Sequence, residues 1–551
     1  MFRWLFVLAL LAPPLAATAG QPSTLLSTRV QHAIEERIAA GEYPAMVIAV
    51  VDGDRSHVYA FGKLDDGKAP DADTVFQIGS VTKTFTATLL AEAVAKGDAT
   101  LETSVGDLLP GFDIPSRNGK SVTLGELAMQ SSGLPRLPDN MRPANPKDPY
   151  ANYDSAKLKA FLAEYKLTRD PGAKYEYSNL GFGLLGYALA RQAGRSYAEL
   201  LQTRIFQPLG MASTSATFEE PLGSHWATGH DADGQPAQPW HLDALAGAGA
   251  INSTGADLLR YLEANMGRGN AALQDAMELA HQPRRTIGGD ERIGLAWMTR
   301  HDKGGDVVWH NGMTGGYASF IGFTEDGKRG VVILTNVQQS VDDLGFATLL
   351  PDAPLARAEK QIAMAPQQLD VYAGAYQLGP KVFLNVFRQD EQLFAQATGQ
   401  GSFPIFPSAA DAFFARVAGI RIDFKRGKNG KVASLVLHQN GHDSPAHKLD
   451  AEAIEQSPPQ MSVHLNATVL QQYVGRYMLA PSMIVDITLK HGQLMAQLTG
   501  QPSYPVYPSA KDEFYYTVVD AQLRFKRGAD GKVDALVLHQ NGANQMAKRL
   551  P

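Results

Sequence analysis

The sequence contains no cysteine. That excludes a disulfide, a thiolate nucleophile and a cysteine-ligated metal, and it fits an oxidising compartment. It also contains no His-Glu-x-x-His or other metal-ligand spacing, and no Gly-x-Ser-x-Gly elbow. A zinc protease and a Ser-His-Asp hydrolase are therefore set aside, and no cofactor and no metal are expected. Excess charge is missing too. A net charge of −6 over 551 residues provides no basic surface for nucleic acid.

Long apolar runs are absent after the first residues. Met1-Phe-Arg-Trp4 precedes the short run Leu5–Ala12, Pro13-Pro14 ends it, and Ala17-Thr18-Ala19 is a small-x-small cleavage site. Such a run is too short to span a bilayer. Residues 1–19 read as a secretory signal peptide. The expectation is an exported protein, periplasmic or otherwise secreted, with no transmembrane anchor once the signal is cleaved.

What remains is globular, with 44% hydrophobic and 19% charged residues, and too long for one core. Leu25–Ala40 reads as a helix ending at Gly41, Pro44–Val51 as a buried strand, and His57–Gly62 as its hairpin return. A helix-rich middle follows. Antiparallel strands are then expected at Ile293–Thr299, Asp306–His310, Tyr317–Thr324 and Gly330–Thr335. This order predicts an α+β fold, with one antiparallel sheet assembled from both ends of residues 20–352 and helices packed on it. Residues 136–153, rich in Pro, Asn and Asp, read as a loop lining a cleft.

Past a linker at 353–365 the texture changes. Tyr372-Ala-Gly-Ala-Tyr376 matches Tyr473-Val-Gly-Arg-Tyr477, and Leu435-Val-Leu-His-Gln-Asn-Gly441 matches Leu536-Val-Leu-His-Gln-Asn-Gly542. The offset is 101 residues at each pair, so the segment is duplicated. Each copy, 366–450 and 465–551 with a linker at 451–464, has the length of a small closed antiparallel barrel. His438 and His539 read as packed or turn histidines. The Lys-Arg pairs at 425–426 and 526–527 read as solvated hairpin ends.

Three stretches carry chemistry. In Gly79-Ser80-Val81-Thr82-Lys83 a strand-like approach gives way to an apolar helix. Ser80 and Lys83 share one helix face, so an amine stands beside a hydroxyl that needs a base to become a nucleophile. The helix start also offers N–H groups where an oxyanion would form. In Tyr177-Ser178-Asn179, a tyrosine beside a lysine ammonium has its pKa lowered toward neutrality, so Tyr177 and Lys83 can share the deprotonation of Ser80. Asn179 can orient Lys83 or a substrate amide. In Trp309-His310-Asn311-Gly312-Met313, a strand edge can pair with a substrate backbone and offer an N–H to the oxyanion, and the glycine allows close approach.

Ser80-x-x-Lys83, Tyr177-Ser-Asn179 and His310-Asn-Gly312, in that order, resemble the three motifs of the class C β-lactamase-like serine hydrolases. That group includes class C β-lactamases, penicillin-binding D-alanyl-D-alanine carboxypeptidases and endopeptidases, D-aminopeptidases and some esterases. The resemblance spans about residues 25–350 and extends to Ser132-Gly-Leu-Pro135 and Ser253-Thr-x-x-Asp257. It implies a β-lactamase/penicillin-binding transpeptidase-like sheet with helices, followed by two small lipocalin-like barrels. It implies Ser80 as the acylated nucleophile, and Lys83 and Tyr177 as the base assembly, with Tyr177 returning the proton to the leaving group. Asn179 would bind the substrate amide. The N–H groups of Ser80 and Met313 would form the oxyanion hole, with His310 and Gly312 beside them. The implied partner is a small molecule or short peptide, with cell-wall peptidoglycan as the polymer. The implied activity is cleavage of D-amino-acid peptides by an acyl-enzyme that also meets β-lactams. A carboxylesterase, a D-aminopeptidase or a binding protein on an inactive scaffold are the alternatives. Two departures stand out. His310 occupies the place of a lysine in class C β-lactamases, and histidine is only partly charged near neutral pH. Gln130-Ser131 stands where His-Thr is common.

Overall fold

In the computed structural model, residues 24–550 are described except 146, 218–224, 270, 359–360, 380–381, 390, 398–401, 416–419, 440–441, 450–464, 481–482, 491–492, 499–502, 517–520, 529 and 541–542. The expected signal peptide (1–19) and second linker (451–464) lie outside the described residues.

The elements that build the first region are Thr28–Ala39 (α1), Ala45–Asp52 (β1), Arg55–Gly62 (β2), Thr82–Lys96 (α2), Asn179–Gln192 (α3), Gly255–Asn265 (α4), Arg285–Gly288 (β3), Glu291–Ile293 (β4), Met298–Asp302 (β5), Gly305–Met313 (β6), Ala318–Thr324 (β7), Arg329–Thr335 (β8) and Asp342–Leu349 (α5). The strands form one antiparallel sheet in the order β2-β1-β8-β7-β6-β5-β4-β3. β1 pairs with β8 from Met46↔Thr335 to Asp52↔Arg329, so the two ends of the region close the sheet as expected. The expected single strand at Ile293–Thr299 is instead two. Ala296, at φ 64, interrupts it, and the chain turns between β4 and β5. The strand expected at Asp306–His310 runs on through the third motif to Met313.

β1 shows why this sheet is covered on both faces. Side chains alternate along a strand. Val47, Ala49 and Val51 join the core shared with α2 and α4, through Phe85, Leu89, Leu258 and Leu262. Met46, Ile48 and Val50 join the core shared with α1 and α5, through Val30, Ile34, Leu344 and Ala347. A two-sided burial demands the near-continuous apolar run seen in the sequence.

α2 has no wet face over its first three turns; Thr82 to Ala91 are all buried. Its hydroxyls are therefore bonded inside the protein. Thr86 Oγ1 donates to Gly247 O at 2.8 Å, and the Tyr261 hydroxyl donates to Thr84 Oγ1 at 3.1 Å. Gly97, at φ 77, ends the helix. The nucleophile helix is thus a fixed central post.

The C-terminal repeats form two closed antiparallel barrels of eight strands each. The first runs from Gly374–Gly379 to His442–Lys448 and closes through Tyr376↔Lys448. The second runs from Gly475–Ala480 to Ala543–Arg549 and closes through Tyr477↔Arg549. The arginines of the two Lys-Arg pairs are not merely solvated. Arg426 Nη2 binds Asp411 and Arg527 Nη2 binds Asp512, each at 2.7 Å, and each aspartate sits at a positive φ turn beside a core tyrosine. His438 and His539 bond Asp443 and Asn544 across their hairpins, at 2.6 and 2.7 Å.

Candidate active site

The chain enters the site through Val75–Gln77, which pairs with Asn252–Thr254. Gly79–Val81 then makes a 3-10 turn into α2 and presents Ser80. Two glycines let β6 press against this turn. Gly79 has φ +49, and a Cβ on it would stand 2.7 Å from Met313 N. A Cβ on Gly312 would stand 2.0 Å from Ile78 O and 3.0 Å from Ser80 N. Ser319, opposite Gly312 on β7, donates to Ile78 O at 2.8 Å and locks the register. The backbones of Ser80 and Met313 are thereby brought together.

Lys83 is fully buried one turn on. Its Nζ lies 2.7 Å from Ala248 O, 2.9 Å from Asn179 Oδ1 and 2.9 Å from Ser80 Oγ. Burial, reinforced by the positive charge of Arg136, holds the Lys83 amine well below its ordinary pKa. A neutral amine has two N–H donors and one lone pair. The carbonyl of Ala248 and the amide oxygen of Asn179 accept the two donors, so the lone pair faces the Ser80 hydroxyl.

Tyr177 donates to Ser80 Oγ at 2.7 Å. Its phenol does not behave as the sequence suggested. Burial raises its pKa above the ordinary tyrosine value; the hydrogen bond to Ser80 and the charge of Arg136 oppose that shift without overcoming it. The ammonium expected to lower it is itself disfavoured by burial. Removing water penalises both charged forms and so favours the pair of amine and phenol.

Ser178 and Asn179 divide the work of the second motif. Ser178 caps α3, accepting from Gly181 N at 2.8 Å. Asn179, the first residue of α3, receives Tyr150 as a second partner, its Nδ2 donating to the Tyr150 hydroxyl at 3.1 Å. That bond fixes which end of the amide faces Lys83. Gln130 gives the unusual Gln-Ser pair a physical account. It sits at φ 56, and its side-chain oxygen accepts from Ser178 N at 2.7 Å while its backbone carbonyl accepts from Glu176 N. The segment carrying Tyr177 hangs on Gln130 at both ends.

His310 departs from its expected place. It is 2% exposed, and its ring lies behind the strand rather than on the cavity wall. Its Nδ1 donates to Asn311 O at 2.6 Å. Burial, and then the neighbouring Lys83, push its pKa down to about 3. Alternation along β6 explains this: His310 and Gly312 face the α2 side, while Asn311 and Met313 face the cavity. His310 therefore offers no charge to a ligand.

Ser80 opens onto a cavity of about 510 Å³. Arg136, Tyr150, Tyr177, Asn179, Trp240 and Asp342 stand on its wall. Arg136, Leu137 and Tyr150 come from the loop at 136–153, which lines the cleft as its composition suggested. A shallow recess beside Ser80 is shared by Tyr150, Asn179 and Trp240 and floored by Leu242 and Gly249. Trp240 is held through both of its backbone polar groups by the Gln77 side chain, at 2.8 and 3.0 Å. Among the described residues no group of three His, Asp or Glu converges as a metal site, and no helix is long and apolar enough to cross a membrane. Arg136, Tyr150, Trp240 and Asp342 were not singled out from sequence, and Gln130 stood out only as a departure from the family pattern, with no role given to it. Of the four, Arg136 carried a signal, its place directly after the Ser132–Pro135 run.

Known proteins resemble this chain across the region that carries the site. The chain is 25% identical over 445 residues to Penicillin-binding protein 4* of Bacillus subtilis (strain 168), covering 74% of this chain and 95% of that protein. It is 26% identical over 367 residues to the Beta-lactamase of Escherichia coli (strain K12), covering 60% and 93%. The crystal structure of D-alanine Carboxypeptidase AmpC from Burkholderia cenocepacia superposes with a TM-score of 0.50 at 25% identity, over 58% of this chain and 97% of that one. A class C beta-lactamase structure shares the fold, with a TM-score of 0.52 at 24% identity over 60% and 96%. Residues 358–454 and 460–549 each match the Domain of unknown function (DUF3471). The family model described as Beta-lactamase matches residues 30–350, the region built around Ser80, and the chain accordingly belongs to that family of serine hydrolases.

Proposed function

We propose that the protein is an exported D,D-peptidase of the penicillin-binding type, acting through an acyl-enzyme on Ser80. One observation carries the reading. Lys83 Nζ lies 2.7 Å from Ala248 O and 2.9 Å from both Asn179 Oδ1 and Ser80 Oγ, so the neutral amine that burial favours can give its two N–H groups to the first two and turn its lone pair to a Ser80 hydroxyl that also accepts from Tyr177. The similarity to a penicillin-binding protein along 74% of the chain supports it.

Ser80 Oγ attacks the carbonyl carbon of the scissile bond while its proton passes to the Lys83 amine. The N–H groups of Ser80 and Met313 hold the oxyanion. The tetrahedral centre collapses, the carbon–nitrogen bond breaks, and Tyr177 gives its proton to the departing amine; the proton on Lys83 restores Tyr177. Water then attacks the Ser80 ester by the reverse route, and the acid leaves with Ser80 protonated. Asn179 and the edge of β6 hold the acyl amide and backbone. A β-lactam would acylate Ser80 in the same way. The neutral, buried His310 supplies no fixed cation for its carboxylate, which favours a peptidase over a fast β-lactamase.

The test is a time course with a fluorescent penicillin beside Ser80→Ala, run with turnover of an acyl-D-Ala-D-Ala peptide and of short acyl esters. A persistent, Ser80-dependent label with peptide turnover supports the reading. Rapid catalytic loss of the drug makes the protein a β-lactamase. Ester turnover without label or peptide cleavage makes it an esterase.

A further inference from the structure

Two charged side chains on the wall of the Ser80 cavity lack a counter-charge. The Arg136 guanidinium lies 5.1 Å over the Tyr177 ring centroid, and no carboxylate among the described residues is within ion-pair distance of it. Stacking on the ring leaves the edge N–H donors of an arginine available. The Asp342 carboxylate accepts from Asn311 Nδ2 at 2.7 Å, and no Lys or Arg among the described residues pairs with it. The neighbouring Asp343 is the carboxylate that engages the Arg37 guanidinium, which also donates to Ala356 O. Loss of water raises the Asp342 carboxyl to about 6, which still leaves it ionised at neutral pH. Asp342 is largely withdrawn from water without a cationic partner, and the exposed Arg136 keeps its donors open to the cavity, so a site that keeps two charges of opposite sign is suited to a ligand that supplies both partners.

Their position says which part of the ligand. Arg136, Tyr177, Asn311 and Asp342 line the main cavity and not the recess floored by Leu242 and Gly249. Tyr177 is the donor to the departing amine in the reading above. The leaving group therefore enters the lobe that holds both charges.

We propose that this lobe is a subsite for a leaving amino acid bearing a carboxylate and a second, cationic amine: a basic or diamino D-amino acid, its carboxylate on Arg136 and its side-chain ammonium on Asp342. The proposal rests on the D,D-peptidase reading. The arginine fork matches a carboxylate with two parallel hydrogen bonds, whereas an ammonium is a point charge that meets a carboxylate from any side. A leaving D-alanine satisfies Arg136 alone. A leaving D-lysine satisfies both.

The experiment is calorimetric titration of free D-lysine and free D-alanine into full-length Ser80→Ala protein, alone and with Asp342→Asn or Arg136→Gln. Asparagine keeps an oxygen for Asn311, and Arg136 is exposed, so neither change disturbs the core. The expected result is D-lysine binding about tenfold tighter than D-alanine, the yield of one charge-assisted hydrogen bond. Asp342→Asn brings D-lysine down to the level of D-alanine, and Arg136→Gln weakens both. Equal affinity of the two amino acids, a preference that survives Asp342→Asn, or no binding of D-lysine overturns the proposal. Peptide turnover by the unsubstituted enzyme is scored separately. Its absence beside a clear D-lysine preference removes the peptidase reading and leaves the subsite standing.

Discussion

Replacing Tyr177 with phenylalanine removes one oxygen, and the geometry predicts two different losses from it. The phenol sits 2.7 Å from Ser80 Oγ and donates to it, and burial holds its proton firmly. It is thus a donor to the nucleophile before attack and a general acid to the leaving amine afterwards. Loss of a neutral hydrogen bond costs about 1 kcal/mol, or roughly fivefold in rate. Loss of general-acid assistance to a poor leaving group costs about a hundred- to ten-thousandfold. An activated phenyl ester needs only the first; an acyl-D-Ala-D-Ala peptide with the same acyl group needs both. Tyr177→Phe is therefore expected to lower kcat/KM roughly fivefold on the ester and by about two to four further orders of magnitude on the peptide. The acid limb of the ester profile remains in the variant, because it reports the buried Lys83 amine. Stopped-flow acylation with both substrates measures this. Equal losses on the two, or disappearance of the acid limb in Tyr177→Phe, would refute the assignment and return the base role to a tyrosinate.

Three further outcomes are expected. Gly312→Ala places a Cβ 2.0 Å from Ile78 O and 2.5 Å from Ser319 Oγ, so β6 must leave the Ser80 turn; acylation by fluorescent penicillin should fall at least about a hundredfold, with about 1–3 kcal/mol of stability lost, and wild-type labelling would count against the close packing. Asp342 is raised from 3.8 to about 6 by burial, so the fold binds its proton more tightly than the unfolded chain does. Its contribution is fully present below the unfolded value and is lost as pH rises to about 6, so Asp342→Asn should stabilise the catalytic-region transition by about 1–3 kcal/mol near pH 8 and not near pH 4; calorimetry giving the same difference at both would contradict the shift. Asp343→Ala strands Arg37, which is 3% exposed and bonded to Asp343 across the α1–α5 contact. Asp343 is itself 29% exposed, so the loss is put at the low end, about 2–3 kcal/mol, read by urea unfolding; a loss below about 0.5 kcal/mol would show the pair to be solvent-screened.

Local chemistry made much of this protein legible in its sequence. An apolar run such as Ala45–Val51 has few folded uses other than a strand covered on both faces. The three-residue step from Ser80 to Lys83 fixes their shared face once α2 exists, because helix geometry is local. The duplicated tyrosine and Leu-Val-Leu-His-Gln-Asn-Gly segments announced two copies of one domain. Protonation states were beyond its reach. Whether Lys83 is an ammonium and Tyr177 a phenolate depends on water excluded by side chains from all over the chain, and the sequence put the proton of Tyr177 on the wrong side. The direction of His310 likewise follows from the pleat of β6 against its neighbours. Gln130, Tyr150 and Asp342 become site residues only through contacts 48, 29 and 31 positions away in the chain. Sequence alone determined which groups can react, since identity and short spacing set that. Tertiary structure decided which of them are dry, which are charged and which way they face, because desolvation and packing are properties of the assembled fold.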